Sequence, residues 1–151
     1  ALRYQLLDAY LGVSYADRSK FQWGFFEQGK KKLDEELSAL QEKVNKKNLP
    51  EIKPENFTGD YFNTVYGKIT ITKSGNMLIC RFQHHPDLIG YMEYMDNNEY
   101  RLTYSNIGYG IYPAKFSIKD GKVIAVEIKA NDFVESDAYI FVKDSLDGVS
   151  K

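Results

Sequence analysis

The sequence predicts a mainly β protein that carries helices at its N-terminal end, an α+β chain. Two observations support this prediction. Apolar residues recur with helical spacing up to about residue 48, and an alternation of period two runs from Phe57 to Val142. Tyrosine is frequent in the second part, and aromatic side chains suit a pleated, half-buried surface. We therefore expect helices first and then a domain of short strands.

The first part predicts two helices that separate near Gly12. Gly12 suits a C-cap of the first helix, and either Asp17 or Ser19 caps the second. The second helix is long and amphipathic, buries one side, and ends before Pro50. Its narrow apolar stripe consists of Phe26, Leu33, Leu37, Leu40 and Val44.

Turn residues divide the second part into about eight strands. The clearest signal is Asp120-Gly121 between two alternating runs, which predicts a hairpin. Eight strands on short turns form an antiparallel meander, and a meander of that size curls until its edges meet or nearly meet. We expect a lipocalin-like barrel or a strongly bent sheet. The long helix is predicted to pack against it, across one face or over one opening.

Charge and hydropathy exclude two classes of partner. A formal net charge of -1 provides no basic field for nucleic acid. No apolar stretch approaches the roughly 18 residues of a membrane span. The single cysteine, Cys80, shares a strand face with Leu78 and Phe82, so it is interpreted as a small buried hydrophobe.

No group of residues predicts catalysis, a metal site or a cofactor site. Tyr104-Ser105-Asn106 and Lys73-Ser74-Gly75 match short elements of serine β-lactamases, but in the reverse chain order. The nucleophile of those enzymes comes from Ser-x-x-Lys, and no serine here has a lysine three residues later. The adjacent His84 and His85 point to opposite faces of an extended backbone, so they rarely hold one metal. We predict that the chain is not an enzyme.

The inside of the barrel is one candidate binding surface. A small ligand there would contact inward-facing side chains, and the tyrosines would either coat the outer surface or form a platform for a sugar or glycan. The predicted lining residues are Ile69, Leu78, Phe82, Phe116 and Ile124.

The helices provide a second candidate surface. An apolar helix face without cover has to find a partner, which predicts self-association or docking on another domain. The predicted docking residues are Leu6, Leu7, Tyr10, Trp23, Phe25 and Phe26.

Several segments resemble one family of proteins. The heptapeptide Leu6–Gly12 resembles the last helix of a β-lactamase-related, penicillin-binding-protein-like serine hydrolase domain. Asp17-Arg18-Ser19 resembles the start of the helical connector that follows, with arginine where the family has tryptophan. Phe57–Tyr61, continued by Tyr66-Gly67 and Ile69, is similar to the opening of an uncharacterised C-terminal domain of those proteins. Phe116 with Asp120–Val123 resembles a later hairpin of that domain.

The resemblance implies three parts: residues 1–12 as the remnant of a missing hydrolase domain, 13–50 as the connector, and 51–151 as a lipocalin-like β domain. It implies a non-catalytic accessory domain that docks on its own N-terminal hydrolase domain and shapes access to the active site. The catalytic serine, lysine and tyrosine would lie in that other domain. Bacterial parents of this type act on peptidoglycan peptides, β-lactams, esters or small peptides, which implies a periplasmic or extracellular location.

Overall fold

Eight antiparallel strands form a closed barrel in the computed structural model, which describes residues 2–129 and 137–144. Two compact units divide the chain, Ala1–Ala39 and Leu40–Lys151, and helix α2 contributes residues to both. The helices are α1 (Leu2–Tyr10) and α2 (Arg18–Asn45). The strands are β1 (Gly59–Asn63), β2 (Gly67–Ser74), β3 (Met77–Phe82), β4 (His85–Asp96), β5 (Glu99–Tyr104), β6 (Ile111–Lys119), β7 (Lys122–Ile128) and β8 (Tyr139–Lys143).

Each strand pairs with the next along the chain, and β1 also pairs with β8. This order confirms the predicted meander that closes into a barrel. The closing contact is short, because it consists of the pairs Tyr61 with Lys143 and Phe62 with Val142. The Asp144 N–H extends it by donating to the Asp60 carbonyl at 2.8 Å. Closure removes the exposed edges that an open sheet of these strands would present.

Two hairpins have two-residue turns in the left-handed region. Asp120 and Gly121 have φ of 51° and 73°, and Asn97 and Asn98 have φ of 46° and 62°. Positive φ at both central residues is the type I′ turn, whose twist matches that of the strands it joins. The hairpin predicted at Asp120-Gly121 is therefore confirmed.

Phe57 fills one end of the barrel interior. It ends a short 3₁₀ helix, Pro54–Phe57, that contacts both β2 and β7, and its side chain is fully buried. Its ring packs edge-on against the rings of Phe116 at 4.9 Å and Tyr100 at 5.4 Å. The alternation placed Phe57 in the first strand, but β1 begins at Gly59. Pro54 favours the first position of a helical turn, so the chain turns before it extends.

The last turns of α2 pack on β4 and β5 within the barrel unit. Gln41 accepts a hydrogen bond from Arg101, whose guanidinium also pairs with Glu93. The Lys43 amine lies 3.4 Å from the Asp96 carboxylate. Leu40 and Val44 are half-buried here. The predicted packing of the long helix against the barrel is confirmed for this part of it.

The ends of the helices follow the predicted capping. Gly12 has φ of 68°, and the N–H groups of Gly12 and Val13 donate to the carbonyls of Ala9 and Asp8, which is a Schellman motif. The Asp17 side chain accepts from the Lys20 N–H at 2.9 Å, so Asp17 rather than Ser19 caps α2. Among the described residues, no helix combines the length and apolar character needed to cross a bilayer.

Candidate functional site

The five residues predicted to line a ligand site lie in different environments. Ile69, Leu78 and Phe116 are buried and pack together in the core cluster, which also contains Phe57. Phe82 is partly buried against that cluster. Ile124 differs, because it is 42% exposed on the outside of the barrel.

A β-bulge explains the position of Ile124. Ser117 pairs with Ala125, whereas the next residue, Ile118, pairs with Val123, so β7 has one extra residue at Ile124. The extra residue shifts the alternation by one position. Val123 and Val126 therefore belong to the core cluster, and Ile124 points outward. The expectation that Ile124 faces the interior is wrong for this reason.

Three tyrosines lie inside the barrel. Tyr61, Tyr100 and Tyr104 are buried, so the alternative in which the tyrosines coat the outer surface is wrong for these three. The Tyr104 hydroxyl donates to the Lys129 carbonyl at 2.9 Å. Burial raises the pKa of Tyr61, Tyr100 and Tyr104 well above the usual value. These hydroxyls stay protonated, and those of Tyr61 and Tyr104 donate to the backbone carbonyls of Phe57 and Lys129.

Cys80, His84 and His85 are the remaining side chains that were considered for catalysis or metal binding. Cys80 is buried, and burial raises the pKa of its thiol to about 12, so it is no nucleophile at neutral pH. His84 lies in the β3–β4 turn against Gly67, and His85 is the first residue of β4. Across residues 2–129 and 137–144, no three His, Cys, Asp or Glu side chains are grouped to hold a metal ion.

A cavity of about 610 Å³, called here the mouth cavity, lies between the segment 44–54, the β2–β3 turn and the adjoining ends of β3, β4 and β5. Leu78 and Tyr100, both core residues, line it together with Tyr94. The Tyr94 ring packs edge-on against Tyr100 at 5.2 Å. The other residues that line the mouth cavity are Gln41, Val44, Asn45, Lys47, Asn48, Leu49, Pro50, Pro54, Lys73, Gly75, Asn76, Met77 and Glu93.

Charged residues surround the mouth cavity. Glu93 is its one acidic lining residue among those described, and it pairs with Arg101. The Lys73 amine lies 2.6 Å from the Glu55 carboxylate, and this hydrogen bond lowers the pKa of Glu55. Lys47 forms no ion pair with any residue that the structure describes. Lys47 is therefore the lining cation that has no ion-pair partner among the described residues.

The six predicted docking residues are exposed side chains of the first unit. In the described chain, α1 and α2 contain no buried residue. Trp23 and Phe26 form one ring pair at 5.5 Å, and Phe21 and Phe25 form another at 5.3 Å. We call the helical apolar surface the set Leu6, Leu7, Tyr10, Phe21, Trp23, Phe25 and Phe26, each at least half exposed.

An ion pair that the sequence analysis missed holds α1 to the start of α2. Arg18 donates to both carboxylate oxygens of Asp8, from Nε at 2.6 Å and from Nη2 at 3.0 Å. The Arg18 guanidinium also lies over the Tyr4 ring at 5.7 Å. The sequence places Asp8 before the Gly12 cap and Arg18 after it, and these opposite charges were the signal from which the ion pair could have been predicted. Arg18 thus has a local role at the position where the family resemblance predicted tryptophan.

Comparison with protein-family models, with curated proteins and with solved structures finds no match to this chain.

Proposed function

We propose that this chain is a non-catalytic interaction domain that docks on a serine hydrolase domain of the same polypeptide. The docking contact is the helical apolar surface. The hydrolase domain is of the β-lactamase-related type, located in the periplasm or outside the cell, and the docked domain shapes access to its active site. The identity of the partner rests on the sequence resemblance of Leu6–Gly12 and Phe57–Tyr61.

The exposure of aromatic side chains on α2 carries the proposal. Trp23, Phe25 and Phe26 are 57%, 65% and 61% exposed. Tryptophan and phenylalanine are both enriched in the buried centre of protein interfaces. Trp23 packs on Phe26 in its ring pair, and exposed apolar side chains that are grouped in this way mark candidate contacts for another protein. A partner that covers the helical apolar surface would remove the unfavourable contact of these aromatic side chains with water.

The Asp8–Arg18 pair supports docking because it orders the helical apolar surface before a partner binds. The bidentate contact fixes α1 against the start of α2, so the apolar residues of both helices are held before a partner arrives. A surface ordered in advance loses less conformational entropy on binding. The buried tyrosines and Cys80 support the non-catalytic part of the proposal, since each is committed to the core.

The test measures binding of the hydrolase domain encoded directly upstream in the same gene. That domain is titrated into the chain while the fluorescence of Trp23, the single tryptophan, is followed. We expect saturable binding that the double variant Trp23→Glu/Phe26→Glu weakens by at least about tenfold, with binding of that variant followed by calorimetry. The matched control is Val65→Glu/Ile107→Glu, two substitutions of exposed apolar residues in barrel loops.

Two outcomes would overturn the proposal. An upstream segment without Ser-x-x-Lys would remove the hydrolase as partner. Equal affinities of the wild-type chain and the Trp23→Glu/Phe26→Glu variant would remove the helical apolar surface as the contact. Sedimentation velocity of the isolated chain tests self-association through the same surface. There we expect concentration-dependent association that the helical variant abolishes and the loop variant retains.

A further inference from the structure

The mouth cavity has the size and lining of a small-molecule site. Its volume of about 610 Å³ lies within the range of roughly 300–1,000 Å³ that is typical of ligand cavities. Met77, Leu78 and Pro50 give it an apolar wall. The Tyr94 ring is already held against Tyr100, so an entering apolar group meets an ordered surface and orders few side chains.

The charges of the cavity favour an anion. Lys47 and Lys73 line it with a single carboxylate, Glu93, among the described residues. The charge of Glu93 is compensated by Arg101, and Lys73 shares its charge with Glu55. Lys47 is left without an ion-pair partner in the described chain. A concave site with one uncompensated cation raises the local concentration of anions.

We propose that the mouth cavity binds a small amphiphilic carboxylate. The apolar body, a short alkyl chain or one ring, lies between Tyr94, Met77 and Pro50, and the carboxylate pairs with Lys47. The mouth cavity is a different site from the barrel interior, because Phe57 and Phe116 fill the interior. The inference does not depend on docking through the helical apolar surface, because every lining residue belongs to the barrel unit.

Octanoate and octan-1-ol are the probes, since they share a chain and differ in the charged end. Binding to the full chain is followed by amide chemical shifts in NMR, which separate the cavity from the exposed helices. We expect saturable shifts at Gly75 and Asn76 in the β2–β3 turn, with octanoate bound roughly tenfold more tightly than octan-1-ol. Shifts confined to residues 2–39, or no saturation by octanoate, would overturn the proposal.

Two pairs of variants test the assignment. Val44→Trp fills the cavity and should abolish binding, whereas Val65→Trp adds the same side chain at a position 74% exposed and should leave binding unchanged. Lys47→Asn removes the cation, and asparagine tolerates the left-handed backbone there, φ 52°. It should weaken octanoate roughly tenfold and leave octan-1-ol unaffected, with Lys119→Asn as the matched control.

The second pair keeps the test decisive if Val44→Trp fails to fold, because Lys47 is an exposed residue. Equal octanoate affinities for Lys47→Asn and Lys119→Asn would overturn the role of Lys47. Retained octanoate shifts in a folded Val44→Trp variant would overturn the cavity as the site.

Discussion

The Tyr61 hydroxyl donates a hydrogen bond to the backbone carbonyl of Phe57, and the two oxygens are 2.7 Å apart. Both residues are fully buried. The bond joins β1 to the 3₁₀ helix Pro54–Phe57, so a polar contact inside the apolar core helps to fix the position of Phe57. The Lys143 amine lies over the other side of this junction, 5.5 Å from the Tyr61 ring and 2.6 Å from the Asn56 carbonyl.

Tyr61→Phe tests this bond. The variant keeps the ring and removes the donor, so the buried Phe57 carbonyl loses this partner. We expect the free energy of unfolding to fall by about 1–3 kcal/mol in urea denaturation. Tyr91→Phe is the control, because Tyr91 is 37% exposed on the barrel surface. Equal effects of the two substitutions would contradict a special role for the Tyr61 hydroxyl.

Gly90→Ala tests packing inside the barrel. A Cβ at Gly90 would lie 2.6 Å from Leu102 Cδ1 and 3.3 Å from Cys80 Cβ, so neighbouring core side chains would have to shift. We expect a loss of about 1–3 kcal/mol in the free energy of unfolding. The control Gly24→Ala meets no atom within 4 Å and lies within α2, where alanine favours the helix by up to about 1 kcal/mol. Thermal denaturation followed by circular dichroism should show a lower melting temperature for Gly90→Ala and a melting temperature that is not lowered for Gly24→Ala.

Asp60 gives a pH-dependent contribution to stability. The hydrogen bond from Thr70, and then the one from Lys68, lowers the pKa of Asp60. A lowered pKa in the folded state means that the stabilisation is present above the unfolded pKa of about 3.9 and is lost as the pH falls through the folded pKa. Asp60→Asn should therefore destabilise at pH 7, by less than about 1 kcal/mol because the pair is partly exposed.

The difference between wild type and Asp60→Asn should disappear on acidification through that window. Denaturant unfolding at pH 7 and at several values below 4 measures it. Asp87→Asn, the same change at an exposed carboxylate, is the matched control. A difference that persists unchanged in acid would exclude the charge of Asp60 as the cause.

Cys80 is predicted to resist thiol reagents in the folded protein. Because burial raises the pKa of its thiol to about 12, very little thiolate is present at pH 8, and the sulfur is covered by the barrel. We expect iodoacetamide to modify Cys80 only in molecules that have unfolded, so urea should accelerate the reaction. A cysteine introduced as Val65→Cys in the exposed β1–β2 turn should react quickly. Rapid native labelling of Cys80 would show that the barrel opens.

The prediction of the barrel succeeded where local chemistry decides the structure. Asp120-Gly121 forms the turn that its residue types favour, and Gly12 and Asp17 cap their helices as expected. It failed where the deciding contact lies far away in the chain. Phe57 has the spacing of a strand residue, yet its partners Tyr100 and Phe116 are more than 40 residues distant.

The same limit applies to the candidate sites. The exposed aromatic residues of α2 could be found from the sequence, since their spacing leaves too many apolar positions for one buried stripe. The mouth cavity could not, because its walls come from segments as distant as Val44, Met77 and Tyr94. The expected lining residue Ile124 was misplaced because a bulge, set by pairing with β6, breaks the alternation on which the prediction depended.

By itself, the sequence determined the order of helices and strands and the antiparallel connection of neighbours, because turns, caps and alternation act over a few residues. The tertiary structure alone decided the short β1–β8 closure, the burial of Tyr61, Tyr100 and Tyr104, and the position of Phe57 against Tyr100 and Phe116. Those features depend on which distant surfaces exclude water together. The pattern of the sequence shows which side chains can be buried. Only the closed barrel shows which other side chains they pack against.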